Sequence, residues 1–120
     1  MSIKEFVLKF YKSEALIDSE ILKGYLHPDV TLEWNSSKGA TTMDFNDMMN
    51  YASDLNKAYV RSKVRISHVV SEEDVVSLRY SHYVKTIENP REELLLAHFM
   101  VFWQIKDNKL YRGYQMSNIS

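Results

Sequence analysis

Three things that the sequence lacks narrow what the protein can be. It has no cysteine, which excludes disulfide bonds, thiolate nucleophiles and cysteine-ligated zinc or iron–sulfur sites. It has no long uninterrupted apolar run, so we expect no membrane span and no export signal, and we predict a cytoplasmic protein. It has no excess of either charge, with 15 Lys and Arg against 16 Asp and Glu, so no general attraction to nucleic acid is expected.

What is present is the composition of a folded protein. Hydrophobic residues make up 45% of the 120 positions, aromatic residues 12% and charged residues 26%. A chain of this length is large enough to bury a core and too short for two ordinary domains. The composition therefore predicts one globular domain over residues 1–120.

The first half of the chain has the periodicity of helices. Ser2 and Glu5 have the spacing of a capping box at the start of a first helix, and Asp18 or Ser19 is a candidate cap for a second. Pro28 prevents that second helix from continuing past His27. A short strand is predicted at Val30 to Trp34 and another around Ala40 to Thr42, before a third helix begins at Asp44.

The second half of the chain changes from helical periodicity to alternation. Four long strands follow one another, and the short polar connections between them are typical of hairpins. Early helices and a late antiparallel meander favour an α+β fold with the helices on one face of the sheet. The predicted strands are Val60 to Val70, Val75 to Thr86, Leu94 to Lys106 and Lys109 to Ile119.

This order of elements resembles the nuclear transport factor 2-like superfamily, and its SnoaL-like branch in particular, over nearly the whole chain. Three segments add to the resemblance: Leu26 to Leu32 before the first strand, Gly39 before the third helix, and Asp107 to Leu110 at the last hairpin. The resemblance implies a cone, in which three N-terminal helices lie on the concave face of a curved, mainly antiparallel sheet. It also implies a pocket between helices and sheet, and frequent dimerisation through the outer sheet face.

The family includes isomerases, cyclases, dehydratases, hydrolases and domains without catalysis, so the fold alone does not choose an activity. In the ketosteroid isomerases two aspartates and a tyrosine carry the reaction. By position, the aspartates correspond to Trp34 and to a residue near Val101, and the tyrosine to Phe10 or Tyr11. Because both carboxylates are missing, the isomerase mechanism is not expected here.

His82 is the candidate acid–base residue. Alternation along its strand groups it with Val76, Leu78, Tyr80 and Val84, the face that should point to the cavity. An imidazole titrates near neutral pH, which suits proton transfer. The simpler interpretation is a hydrogen-bonded core histidine, and that interpretation carries about twice the weight because no second polar partner is assured.

Aromatic residues spread over several elements predict the rest of the pocket. Together they would form an apolar cavity with a few polar tips, which suits a small apolar or aromatic molecule. Tyr80, Tyr114 and His82 are the polar groups expected to orient that molecule, and Arg112 joins them if the last strand keeps a regular register. The predicted ligand-binding residues are Trp34, Tyr51, Tyr80, Phe99, Val101, Trp103, Tyr114 and Met116.

The strand from Leu94 is apolar on both faces, so the outer face needs a cover. Alternation does not say which face lines the pocket, and one bulge would exchange the two faces. The resemblance places Ala97, Phe99, Val101 and Trp103 inside. It leaves His98, Met100 and Phe102 outside, where a homodimer would cover them.

Other site chemistries have less support. His68, His82 and His98 lie on successive strands, but their spacing is not that of a metal site, and we predict neither metal nor cofactor. Arg61, Lys63, Arg65 and Arg79 form a basic stripe that a solvated strand face explains without nucleic acid.

Two functions stay open from the sequence. The first is a domain that binds a small apolar or aromatic molecule, either without catalysis or as a SnoaL-like enzyme of isomerase, cyclase, dehydratase or hydrolase type that uses His82. The second is a non-catalytic homodimeric interaction module with a filled interior.

Overall fold

The computed structural model describes residues 2–119, which form three α-helices and six β-strands. The α+β class predicted from the sequence is confirmed. The elements are α1 (Ile3–Lys12), a 3₁₀ turn (Ala15–Ile17), α2 (Ser19–Lys23), β1 (Leu26–Ser36), β2 (Gly39–Met43), α3 (Phe45–Asn56), β3 (Tyr59–Glu72), β4 (Val75–Thr86), β5 (Leu94–Lys106) and β6 (Lys109–Asn118).

Each helix begins at a polar cap, as the sequence predicts. The Ser2 side chain accepts a hydrogen bond from the Glu5 amide at the start of α1. Asp18 accepts from two amides at the start of α2, and Asp44 and Asp47 form a reciprocal capping box at α3. These side chains satisfy amides that have no partner within the helix.

The strands form one curved sheet in the order β2-β1-β6-β5-β4-β3. The four late strands pair as the predicted antiparallel meander. The β1–β6 pair is parallel, and it joins the early hairpin to the last strand of the chain.

The segment between α2 and β1 differs from the prediction. Helix α2 ends at Lys23, and β1 already begins at Leu26 instead of Val30. The cause is β6: the Leu110 amide donates to the Tyr25 carbonyl, and Leu26 pairs with Leu110. Pro28 lies in the irregular stretch of this pairing, where the amide that it lacks is not required.

Buried residues of the helices and of the sheet belong to one hydrophobic cluster. From the helices come Val7, Phe10 and Leu22, and from the sheet Leu78 and Val101 are equally buried. Across residues 2–119, none of the helices has both the length and the apolar character needed to cross a bilayer.

Candidate active site in an aromatic cavity

Strand β4 supplies one wall of an internal cavity. Val76, Leu78, Tyr80, His82 and Val84 are all buried, while the alternate positions lie on the outer side. This is the arrangement expected from alternation along the strand.

The inner cavity is small, with a volume of about 70 Å³. It lies between the inner face of the sheet and the helices, and its wall is almost entirely apolar. Six residues predicted from the sequence line it: Trp34, Tyr51, Tyr80, His82, Phe99 and Trp103. The rest of the wall consists of Phe10, Tyr11, Leu16, Leu22, Leu32, Met43, Met48, Ala52, Leu55, Leu96 and Gln115.

A wider space of about 450 Å³ adjoins the inner cavity, and we call it the mouth. Pockets for small ligands usually measure about 300–1,000 Å³, so the inner cavity alone is too small for one. The mouth has the required size. The two spaces share Trp34, Met43, Tyr51, Leu55, Leu96 and Phe99.

Trp34 and Tyr51 stand at the boundary of the two spaces. Their rings meet edge to face at a centroid distance of 5.5 Å, and Tyr51 remains 39% exposed. The Trp34 indole N–H donates to Ser117 Oγ at 2.8 Å, which fixes the ring. Phe99 lies deeper and stacks on Tyr80 at 4.9 Å between centroids.

Among the titratable groups that line the cavity, His82 has the pKa closest to neutral pH. Its Nε2 atom lies 2.7 Å from Ser62 Oγ, and Nδ1 has no hydrogen-bond partner among residues 2–119. In the same residues no fully buried side-chain nitrogen or oxygen lacks a partner, so Nδ1 must reach the cavity surface. Burial in apolar surroundings lowers the pKa of His82 from its ordinary 6.5 to about 4. The imidazole is therefore neutral at pH 7.

Two hydrogen bonds supply the other polar groups of the cavity wall. The Trp103 indole N–H donates to Tyr11 Oη at 2.8 Å, and Tyr80 Oη donates to Gln115 Oε1 at a long 3.4 Å. Burial raises the pKa of both tyrosines above the usual range. Tyr11 and Tyr80 therefore keep their protons at any ordinary pH and can act as neutral donors.

The prediction that Tyr114 and Met116 line the cavity is wrong. Both point outward, with 48% and 66% of their surface exposed. A regular hairpin from Asp107 and Asn108 would have put them inside, but the β5–β6 register shifts between Gln104 and Ile105, leaving one extra residue on β6. Such a bulge moves every later side chain to the other face of the sheet.

The same bulge removes Arg112 from the predicted polar set. Its guanidinium donates to the Asp29 carbonyl at 2.6 Å and lies 3.9 Å from the Tyr111 ring centroid. The bulge also brings inward a residue that the sequence did not indicate, because Gln115 now faces the cavity.

Gly113 is the sequence signal that could have revealed the shift. It pairs with Trp103, and a Cβ atom at this position would lie 2.6 Å from that indole and 2.8 Å from Leu32. A glycine inside a strand often marks such a close approach. The indole of Trp103 thus lies directly over the backbone of β6.

Strand β5 largely follows its prediction. Ala97, Phe99, Val101 and Trp103 are buried, but Val101 packs in the core and does not reach the cavity wall. Regular alternation along β5 would place Leu96 on the outer face with His98. A register shift makes it the extra residue between the Tyr83–Leu95 and His82–Ala97 pairs, and it lines the cavity.

The histidines of successive strands are not brought together. His82 faces the cavity, whereas His98 bonds to Ser81 at 2.7 Å on the other side of the sheet, and His68 is exposed. Over residues 2–119 no three His, Asp or Glu residues converge as metal ligands do.

The outer face of the sheet carries an exposed apolar patch. Met100 and Phe102 of β5 are more than half exposed, and they pair with Met116 and Tyr114 of β6. The sequence named only the β5 half of this patch, because it placed the β6 half inside.

Comparison with known proteins finds matches by structure, whereas the two sequence comparisons find none. Neither the known family models nor the curated proteins contain a match for the chain. Among solved structures, AusH from Aspergillus nidulans is 16% identical, with a TM-score of 0.78 over 96% of this chain and 82% of its own. IdmH, a candidate polyketide cyclase from Streptomyces antibioticus, is 12% identical, with a TM-score of 0.76 over 98% and 92%.

A candidate SnoaL-like polyketide cyclase from Jannaschia is also 12% identical, with a TM-score of 0.69 over 96% of this chain and 84% of its own. At such identities the similarity is one of fold. The chain therefore has a fold that is also found in a SnoaL-like candidate polyketide cyclase and in an NTF2-like protein.

Proposed function

We propose that the protein is a SnoaL-like enzyme that binds a small apolar or aromatic molecule in the mouth and inner cavity, with His82 as its general base. The sheet and helices would enclose the ligand as a cone. The fold similarity to candidate polyketide cyclases supports an enzyme of this type.

The observation that carries the proposal is the state of His82. A buried imidazole with a pKa of about 4 is unprotonated at neutral pH, and only an unprotonated nitrogen can accept a proton. With Nε2 held by the Ser62 hydroxyl, Nδ1 is the nitrogen presented to the cavity. If Nε2 carries the hydrogen and donates it to Ser62, Nδ1 has the free lone pair of a base.

The tyrosines supply the complementary group. A proton that moves from the ligand to Nδ1 leaves negative charge on the ligand, and that charge needs hydrogen-bond donors where water is excluded. Tyr11 and Tyr80 line the same cavity and stay protonated. Tyr11 accepts from Trp103 and so keeps its own hydrogen to donate, whereas Tyr80 would exchange its long hydrogen bond to Gln115 for one to the ligand. The reaction class proposed is thus removal of a proton from an apolar molecule, with the developing oxyanion bound by phenol groups.

The interaction-module alternative has less support. It requires a filled interior, whereas the described residues leave an aromatic-lined space of ligand size at the mouth.

Binding is testable before any substrate is known. Planar aromatic compounds such as naphthalene derivatives are expected to raise the melting temperature of the wild type, because binding to the folded state alone stabilises it. Trp34→Ala should abolish that shift, since it removes the ring between mouth and inner cavity. Differential scanning fluorimetry measures both.

Tyr83→Ala is the matched control for that variant. Tyr83 is an aromatic residue of β4 whose ring contacts Arg65, away from the inner cavity and the mouth. Its removal should leave the ligand-induced shift intact. A panel of such compounds that produces no shift in the wild type would remove the support for ligand binding.

We also propose that the outer patch of Met100, Phe102, Tyr114 and Met116 is covered by a second copy of the chain, with His98 at its edge. Exposed apolar clusters of this kind are uncommon on monomers. Cross-strand pairing places the four side chains together on adjacent strands.

Phe102→Glu is expected to convert this dimer to a monomer, because it would place two carboxylates in an apolar interface. Analytical ultracentrifugation over a concentration series would show the change. Ile87→Glu, at an exposed apolar residue just after the end of β4 and far along the sheet from Phe102, is the control that should leave the mass unchanged. A wild type that sediments as a monomer at all concentrations would refute the proposal.

A further inference from the structure

The charged side chains that line the inner cavity and the mouth are of one sign only among the described residues. Among the described residues, no carboxylate side chain lines either the inner cavity or the mouth. One cationic side chain does: Lys38, in the turn between β1 and β2, lies on the wall of the mouth. It is exposed, and its ammonium group has no ion-pair or hydrogen-bond partner within residues 2–119.

Hydroxyl groups surround the same opening. Ser117 Oγ accepts the Trp34 indole N–H, so its own hydrogen remains available to another acceptor. Thr41 of β2 pairs directly opposite Trp34, and Tyr59 also lines the mouth. The opening therefore offers hydrogen-bond donors and one positive charge, and the interior offers apolar surface.

We infer that the ligand is an amphipathic monoanion: a planar apolar body that enters the cavity and a carboxylate that remains at the mouth beside Lys38. This inference rests on the proposed function and narrows its substrate class. The size of the two spaces agrees with it. An inner cavity of about 70 Å³ admits the edge of a ring or a small substituent, while a carboxylate needs the wetter, donor-rich mouth.

The orientation has a chemical consequence for the site. The apolar wall of the inner cavity cannot solvate a carboxylate, so the carboxylate stays at the mouth. The opposite end of the ligand therefore points inward. That end is the one that reaches His82, Tyr11 and Tyr80 on the cavity wall. Lys38 thus acts in orientation and selection and not as a catalytic residue.

A matched pair of probes tests the inference. 2-Naphthoate and 2-naphthamide have the same ring and nearly the same size, and they differ in charge. At low ionic strength, isothermal titration should show that the wild type binds the acid about fivefold more tightly than the amide, the effect of an exposed ion pair. Lys38→Met should bring the two affinities together by weakening the acid alone, and Lys38→Glu should reverse the preference.

Lys63→Met, which removes an exposed charge from β3 away from the mouth, is the control that should leave the ratio unchanged. Equal affinities in the wild type, or a preference that survives Lys38→Met, would overturn the inference while leaving apolar ligand binding in place. If neither probe binds, the proposed function fails and the ligand class fails with it.

Discussion

Replacing Trp103 by alanine is expected to lower the free energy of unfolding by about 4 kcal/mol, near the upper range for a large-to-small change in a core. Trp103 is only 2% exposed and lies over Gly113, where no side chain can move in to fill the space. The change also removes the donor to Tyr11 Oη and leaves that buried hydroxyl with one partner fewer. Urea denaturation followed by circular dichroism measures the loss.

Phe102→Ala is the matched control for Trp103→Ala. Phe102 is the adjacent residue on β5, but it points outward and is 55% exposed. Its removal should cost less than about 1 kcal/mol when measured on the monomer. Trp103→Phe should fall between the two, because it keeps an aromatic ring and loses the indole N–H. Similar losses for Trp103→Ala and Phe102→Ala would show that the two faces of β5 are wrongly assigned.

Lowering the pH from 7 to 4 is expected to remove about 3 kcal/mol of stability through His82 alone. Burial lowers the pKa of the folded-state imidazole from 6.5 to about 4, so between these values the unfolded chain binds a proton that the folded chain does not. This contribution to stability is complete above pH 6.5 and is lost as the pH falls toward 4. Chemical denaturation at a series of pH values measures it.

His82→Gln isolates the effect, because glutamine is polar but does not titrate. The difference in unfolding free energy between wild type and variant should be constant above pH 7 and should shrink by about 3 kcal/mol toward pH 4. His68→Gln, which removes an exposed histidine and leaves His82 in place, should keep the loss of stability toward pH 4. Parallel pH profiles for wild type and His82→Gln would mean that His82 is not desolvated in the folded state.

The sequence predicted those parts of the fold that depend on local pattern. Helix caps such as Ser2 and Asp44 are recognisable because a side chain must satisfy the free amides next to it. The inner face of β4 was predicted correctly because strict alternation needs no information from neighbouring strands. His82 and Tyr80 were therefore placed on the right face from the sequence.

The predictions that were wrong concern features that depend on the register between strands. The extra residue on β6 is a property of its pairing with β5, and alternation within β6 alone cannot detect it. Because of this error, Tyr114 and Met116 were predicted to face the cavity, whereas Gln115 faces it in the structure. Similarly, the contact of Leu26 with Leu110 depends on a strand that lies far along the chain, so local helix signals gave the wrong start for β1.

Only part of the candidate site could be predicted from the sequence. Aromatic residues could be assigned to the interior, but the size of the remaining space depends on how side chains from different elements fit together. The Ser62–His82 hydrogen bond joins β3 and β4 diagonally, and no spacing within either strand indicates it.

The parallel pair of β1 and β6 has a consequence for how the protein matures. Trp34 and Gln115 are neighbours in that pair, and both face the cavity, although they come from opposite ends of the sequence. During synthesis on the ribosome, the β1–β2 hairpin must wait for β6 to emerge before it can join the sheet, a long-range step that slows folding. A nascent chain stalled before β6 would lack the part of the cavity wall that β6 supplies and would expose the apolar residues that β6 later covers.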